Sequence, residues 1–294
     1  MGTMKKVYAR VTERLIEQME EGIAPWVLPW TRDSAIRLPY NALTGRSYSG
    51  FNVLLLWDAA MRSRFGSPRW VTFKQAKMMG GHVRKGEKGV QLLFCAHRAD
   101  QTSDEQEDEP VSQRGPLVRL YTAFNLDQTE GIAPVDATAE DVTTDDGSTI
   151  PALVAAAGVP VVHRGGEACY LPVEDVVRMP PRRTFRDRAG YDATLAHEAT
   201  HWTGHPKRLD RALGNRFGNA LYAREELVAE IGSAFLCAEM GVEGRLQHAA
   251  YLDHWVRQLK EEPRLLVRAA SKAQEAVRYL RKLAAGDSGA TSAA

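Results

Sequence analysis

The sequence has no long hydrophobic run. No stretch of its 294 residues approaches the ~20 apolar residues of a membrane-spanning helix, and none near the N-terminus has the form of an export signal. A cytoplasmic protein with no membrane partner is therefore expected. Cysteine is scarce as well. Cys95, Cys169 and Cys237 are odd in number and lack a Cys-x-x-Cys spacing, which argues against a disulfide framework or a zinc knuckle and leaves three small buried hydrophobes. Net charge is almost absent, at +1, but the near-neutral total hides a segregated layout.

Residues 1–98 hold 16 Lys/Arg against 7 Asp/Glu, residues 99–150 hold 2 against 13, and residues 151–294 hold 20 against 17. This layout predicts a polyanion-binding N-terminal part, an acidic connector and a near-neutral globular C-terminal part. Asp100 to Gly115 contains Val111 as its sole large apolar residue, too little burial to offset the entropy of ordering. A disordered acidic insertion is thus expected at about 99–115, and a second acidic stretch, Asp136 to Asp146, marks a linker. The expected division is a first domain at 1–130, the linker at 131–150, a second domain at 151–285 and a disordered tail at 286–294.

What the chain does contain is Ala196-His197-Glu198-Ala199-Thr200-His201-Trp202-Thr203-Gly204-His205. Tyr191, Leu195, Ala196 and Ala199 give this stretch a buried helical side, and Gly204 with Pro206 ends it. Residues four apart lie one above the other on a helix, so His197 and His201 can turn imidazole nitrogens toward one point. Zn²⁺ takes such nitrogens at about 2.0–2.1 Å and, in catalytic sites, keeps three protein ligands and one open position. Mn²⁺, Co²⁺ or Ni²⁺ could occupy the same donors. Glu198, beside the first histidine, stands where zincin hydrolases keep the general base.

A third ligand must come from elsewhere. Tyr222 to Leu236 reads as a second helix with Glu226 and Glu230 four apart in almost wholly apolar surroundings. Carboxylates are rarely buried there unless paired or bound to metal. This looks like the gluzincin arrangement, which implies Glu226 as the third ligand and Glu230 as the acid that orients a ligand histidine; the reverse assignment stays open. The longer His-Glu-x-x-His-x-x-Gly-x-x-His pattern fails, because its third histidine position is Lys207 and His205 comes two residues too early.

The N-terminal third holds four of the six tryptophans, interspersed with basic residues. Aromatic faces that stack bases beside Lys/Arg that meet phosphates bind single-stranded nucleic acid without sequence preference. Trp57, inside the apolar run Val53–Ala60, is expected in the core. Arg46, Tyr48, Lys74, Lys77, Arg84, Lys85 and Lys88 are the expected exposed contacts to single-stranded DNA. Helices are expected over 4–20, about 53–64, 74–79 and 151–157, with strands at 91–96, 117–125, 159–163 and 169–172 and amphipathic helices through 246–283.

Three groups of residues together resemble the ArdC antirestriction family, and the N-terminal region of TraC-type plasmid primases. They are Thr44-Gly45-Arg46-x-Tyr48-x-Gly50-x-Asn52, the turn Val83 to Gly89, and the run Ala196 to Asp210 followed by Glu225-Glu226-Leu227-Val228-Ala229-Glu230. The resemblance covers nearly the whole chain. It implies an α+β protein: an N-terminal α+β domain that binds single-stranded DNA, then a mainly helical, zincin-like metallopeptidase domain with a small sheet. The implied role is to protect incoming conjugative DNA from host restriction, with a restriction component as a conceivable partner. The alternative is a DNA-coating protein whose metal site is structural or vestigial. A primase activity gains little, since no acidic triad for nucleotide polymerisation is evident.

Overall fold

A computed structural model describes residues 12–21, 37–96, 117–132, 149–213, 220–242 and 249–286 of the chain. The acidic insertion, most of the linker, Trp26, Trp30 and residues 287–294 lie outside the described residues. Residues 12–20 are helical (α1). The N-terminal half then builds a four-stranded sheet from β1 (Tyr40–Asn41), β2 (Arg69–Thr72), β4 (Val90–Ala96) and β5 (Leu117–Asn125), in the order β1-β2-β5-β4. Its long hairpin, β4 against β5, pairs Leu92 with Tyr121 and Cys95 with Val118 across the expected acidic insertion. A short helix α3 (Phe73–Met78) follows β2, and β3 (His82–Val83) pairs with β6 (Thr129–Glu130).

Helix α2 (Phe51–Ser63) lies between this sheet and the other half. It is buried from Phe51 to Ala60 save for Asn52, a largely apolar run whose buried Asp58 is paired with Arg62 at 2.8 Å. Asn52 is half-buried for a reason. Its amide donates to the Leu93 carbonyl at 2.8 Å and accepts from the Leu93 N–H at 2.9 Å, copying a strand partner for β4. Gly50 precedes the helix at φ 58°, a left-handed turn that suits glycine, and its N–H donates to Gln274 Oε1 at 3.1 Å.

The C-terminal half starts with α4 (Ile150–Ala156) and a three-stranded sheet of β7 (Val161–His163), β8 (Cys169–Leu171) and β9 (Val176–Met179), in the order β7-β9-β8. The central strand β9 lies outside the strands expected from the sequence. Asp175, at φ 53°, turns the chain back from β8 so that Val176–Met179 can fill the middle place. Helices α5 (Arg188–Thr203), α6 (Ala220–Glu239), α7 (Ala249–Glu261) and α8 (Leu265–Ala284) complete the half. The architecture is α+β, mainly helical toward the C-terminus, with small sheets.

The two halves share one hydrophobic core. Trp57 of α2, 2% exposed, lies with its ring centroid 5.8 Å from that of Phe235 of α6. Polar bonds cross as well: Thr12 donates to the Pro263 carbonyl at 3.1 Å, and Lys260 donates to Glu20 at 2.5 Å. Among the described residues, no helix is long and apolar enough to cross a membrane.

Candidate metal centre

Small residues let α5 and α6 approach closely. Ala193, Ala196 and Thr200 of α5 and Ala229, Gly232 and Ser233 of α6 are fully buried or nearly so, and Ser233 donates to the Ala193 carbonyl at 2.8 Å. Gly232 is needed for this contact, because a Cβ there would lie 2.7 Å from Thr200 Cγ2 and 2.8 Å from its Oγ1. The approach brings one turn of each helix face to face at the His-Glu-x-x-His segment.

There, His197 Nε2 and His201 Nε2 are 3.1 Å apart. Glu226 Oε1 lies 3.3 Å from His201 Nε2, and its Oε2 lies 3.6 Å from His197 Nε2. Donors held at about 2.0–2.1 Å around a tetrahedral ion are separated by about 3.3 Å, so this set has the spacing a divalent metal requires. Among the described residues, these three are the ones whose ligand atoms gather within 4.8 Å of one another. Glu198 is 7% exposed and adjoins His197 on α5. Glu230, 1% exposed on α6, is not in the gathered set.

The carboxylate that touches His201 is one with no role assigned from the sequence. Glu225 has Oε1 3.3 Å from His201 Nδ1, on the ring edge opposite the gathered donors. Arg211, from the loop after α5, grips Glu225 with Nε at 3.0 Å from Oε2 and Nη2 at 2.8 Å from Oε1. The same guanidinium donates to Thr203 Oγ1 at 2.8 Å and to the Thr200 carbonyl at 2.7 Å. The sole clue to this pairing was the dipeptide Glu225-Glu226, in which adjacent side chains point about 100° apart on a helix.

Charge follows this geometry. Burial opposes a charged His201, yet its hydrogen bonds to Glu225 and Glu226 prevail and raise its pKa to about 10. Burial likewise opposes ionisation of Glu226 and Glu225. The histidines still hold Glu226, and His201 with Arg211 holds Glu225, below the usual carboxylate range. The cluster therefore stabilises positive charge at its centre, from protons or from a cation.

A second network ties the small sheet to the end of α5. Arg208 lies 3.8 Å above the Trp202 ring, donates to the Trp202 carbonyl at 2.6 Å and pairs with Asp175. It also donates to the Tyr170 hydroxyl at 3.2 Å, and Tyr170 donates to Asp175 at 2.8 Å.

The residues expected on a DNA-binding face fall into two groups. Asn41 shapes the turn bearing Arg46 by accepting from the Leu43 and Thr44 N–H groups at 3.1 and 3.0 Å, and it joins that turn to α3 by donating to Gln75 Oε1 at 2.9 Å. Arg46 and the α3 residues Lys74 and Lys77 are exposed. Lys85 and Lys88 are exposed on the turn that follows β3. Two of the expected residues are partly held within the fold. Tyr48 packs against the core, where burial pushes its hydroxyl pKa up. Arg84 is engaged in holding the turn, with Glu87 at 2.7 Å and the Asp127 carbonyl at 2.6 Å. Among the described residues of this half, the tryptophans Trp57 and Trp70 are 2% and 1% exposed and offer no stacking surface.

Comparison with known proteins agrees with both halves. Residues 5–124 match the N-terminal domain of anti-restriction factor ArdC, and residues 148–272 match a zincin-like metallopeptidase family. DNA primase TraC of Escherichia coli is 37% identical over 287 residues, covering 92% of this chain but 26% of TraC, so the chain spans about a quarter of that relative. Protein y4eC of Sinorhizobium fredii is 36% identical over 283 residues, covering 93% of this chain and 91% of y4eC. Crystal structures of the antirestriction ArdC protein from plasmid R388, metal-free and Mn(II)-bound, superpose with TM-scores of 0.76 and 0.75. At 39% identity, each alignment covers 95% of this chain and 98% of that one. With a relative of this identity matched over nearly its full length, and both halves matched in order, the chain belongs to the ArdC antirestriction family.

Proposed function

We propose that this protein binds single-stranded DNA through its basic N-terminal half and protects incoming conjugative plasmid DNA from host restriction. In this reading the C-terminal half is a zinc-dependent peptidase that acts on a restriction component. The observation that carries the enzymatic part is the convergence of His197, His201 and Glu226 beside Glu198. Those three residues would hold the ion, and Glu225 under Arg211 orients His201. A divalent ion in such a site supplies a Lewis acid that acidifies water and polarises a carbonyl. Glu198 takes up the proton at its carboxylate and passes it to the leaving amine.

One observation supports a second reading. His197 is 3% exposed, Glu226 5% and Glu198 7%, a degree of enclosure that also suits a structural ion in a protein that protects DNA by coating it. Glu198→Gln separates the two. Restriction of transferred plasmid DNA is scored with matched expression of wild type and variant. If peptidase chemistry is required, protection is lost while DNA binding and metal content persist. Unchanged protection returns the function to the N-terminal half alone.

A further inference from the structure

We propose that Phe73 is a base-stacking platform of the N-terminal half, flanked by Lys74 and Lys77 for the adjoining phosphates. This inference rests on the single-strand binding proposed above and places it on a specific surface. Trp70 is in the core and cannot stack a base, and neither can Trp57, for which the core was expected. Phe73, by contrast, is 51% exposed at the start of α3.

No local folding requirement explains an aromatic there. The helix start is secured by Thr72 and Gln75, which exchange side-chain-to-backbone bonds, and the one buried position of α3 is Ala76. With Ala76 turned inward, the outer face of the helix is left to Phe73, Lys74, Lys77 and Met78, and Lys77 Nζ lies 5.1 Å from the Phe73 ring centroid. A single exposed hydrophobe is ordinary. Here Leu43, Phe73 and Met78, at 39%, 51% and 65%, are three of the six large hydrophobics exposed among the described residues. The Asn41–Gln75 bond joins the turn carrying Leu43 and Arg46 to this helix, so apolar and cationic groups share one corner. A flat apolar ring among cations matches a nucleobase between phosphates, and a stacked base gains from the ring's face whatever its identity.

The test uses fluorescence anisotropy with the full chain and two probes: labelled oligothymidylate, and inorganic polyphosphate as a base-free competitor. Phe73→Ala is expected to weaken oligothymidylate binding by roughly 5- to 100-fold, with the salt slope and polyphosphate binding unchanged. Phe73→Trp should restore affinity. Lys74→Ala and Lys77→Ala should each lower the magnitude of the salt slope by about 0.7. Phe94→Ala, which removes a 54% exposed aromatic on β4, serves as the control and should bind like wild type. Wild-type affinity in Phe73→Ala overturns the inference while leaving single-strand binding intact. An equal loss toward polyphosphate, or an equal loss in Phe94→Ala, overturns it too. Failure of the wild type to bind oligothymidylate overturns the binding reading and this inference together.

Discussion

Replacing Arg211 with methionine removes a guanidinium that is 9% exposed and leaves Glu225, 4% exposed, without its bidentate partner and next to Glu226. Breaking a buried ion pair from one side costs about 3–5 kcal/mol, chiefly for the charge left behind. Removing both charges, as in Arg211→Met with Glu225→Met, leaves no orphan and is expected to cost no more than about 1–2 kcal/mol. The cycle should therefore show a coupling of about 2 kcal/mol or more. Urea unfolding at neutral pH in the presence of chelator measures it.

Metal affinity then separates stability from positioning. His201 loses its oriented carboxylate in the single and in the double variant, so both should bind Zn²⁺ about 10- to 100-fold more weakly in a chelator competition. Stability returns in the double variant; affinity does not. A single variant within about 1 kcal/mol of wild type, or a double variant that costs the sum of its parts, refutes the account of a buried pair dedicated to His201.

Two further outcomes follow from the same structure. Asp175 is held down to about 2 by its hydrogen bond to Arg208, so its contribution is complete above about pH 4 and is lost as the pH falls through 2. Such a shift corresponds to about 2 kcal/mol, discounted to about 1 because the Asp175 side chain is 29% exposed; wild type should exceed Asp175→Asn by that amount at pH 6, and the gap should close near pH 2. Gly232→Ala would place a Cβ 2.7 Å from Thr200 Cγ2 and 3.3 Å from its Cβ, forcing α5 and α6 apart. A loss of about 1–3 kcal/mol is expected in thermal unfolding, with weaker Zn²⁺ binding, whereas unchanged values for both would show that the helices tolerate the wider spacing.

Much of the site could be read without a structure because it is local. The spacing of His197 and His201 is set by the helical repeat, and Glu226 is conspicuous as a charge in an apolar stretch. The hairpin of β4 and β5 was readable for a similar reason: two apolar runs flank a segment with almost nothing to bury. Strand β9 was not, because Val176–Met179 acquires its place from partners on both sides, and four residues after a left-handed aspartate carry little period of their own.

The sequence by itself determined the groups available: two imidazoles at helical spacing, an adjacent carboxylate, further carboxylates on an apolar helix downstream and a basic N-terminal third. Tertiary structure alone decided the assignments. Neighbouring side chains on a helix diverge by about 100°, so the way α6 crosses α5 chooses Glu226 for the gathered donors and Glu225 for the back of His201. The same holds for the aromatics. The apolar run around Trp57 placed it in the core, but nothing local separates buried Trp70 from exposed Phe73, because burial depends on what the rest of the chain packs against each ring.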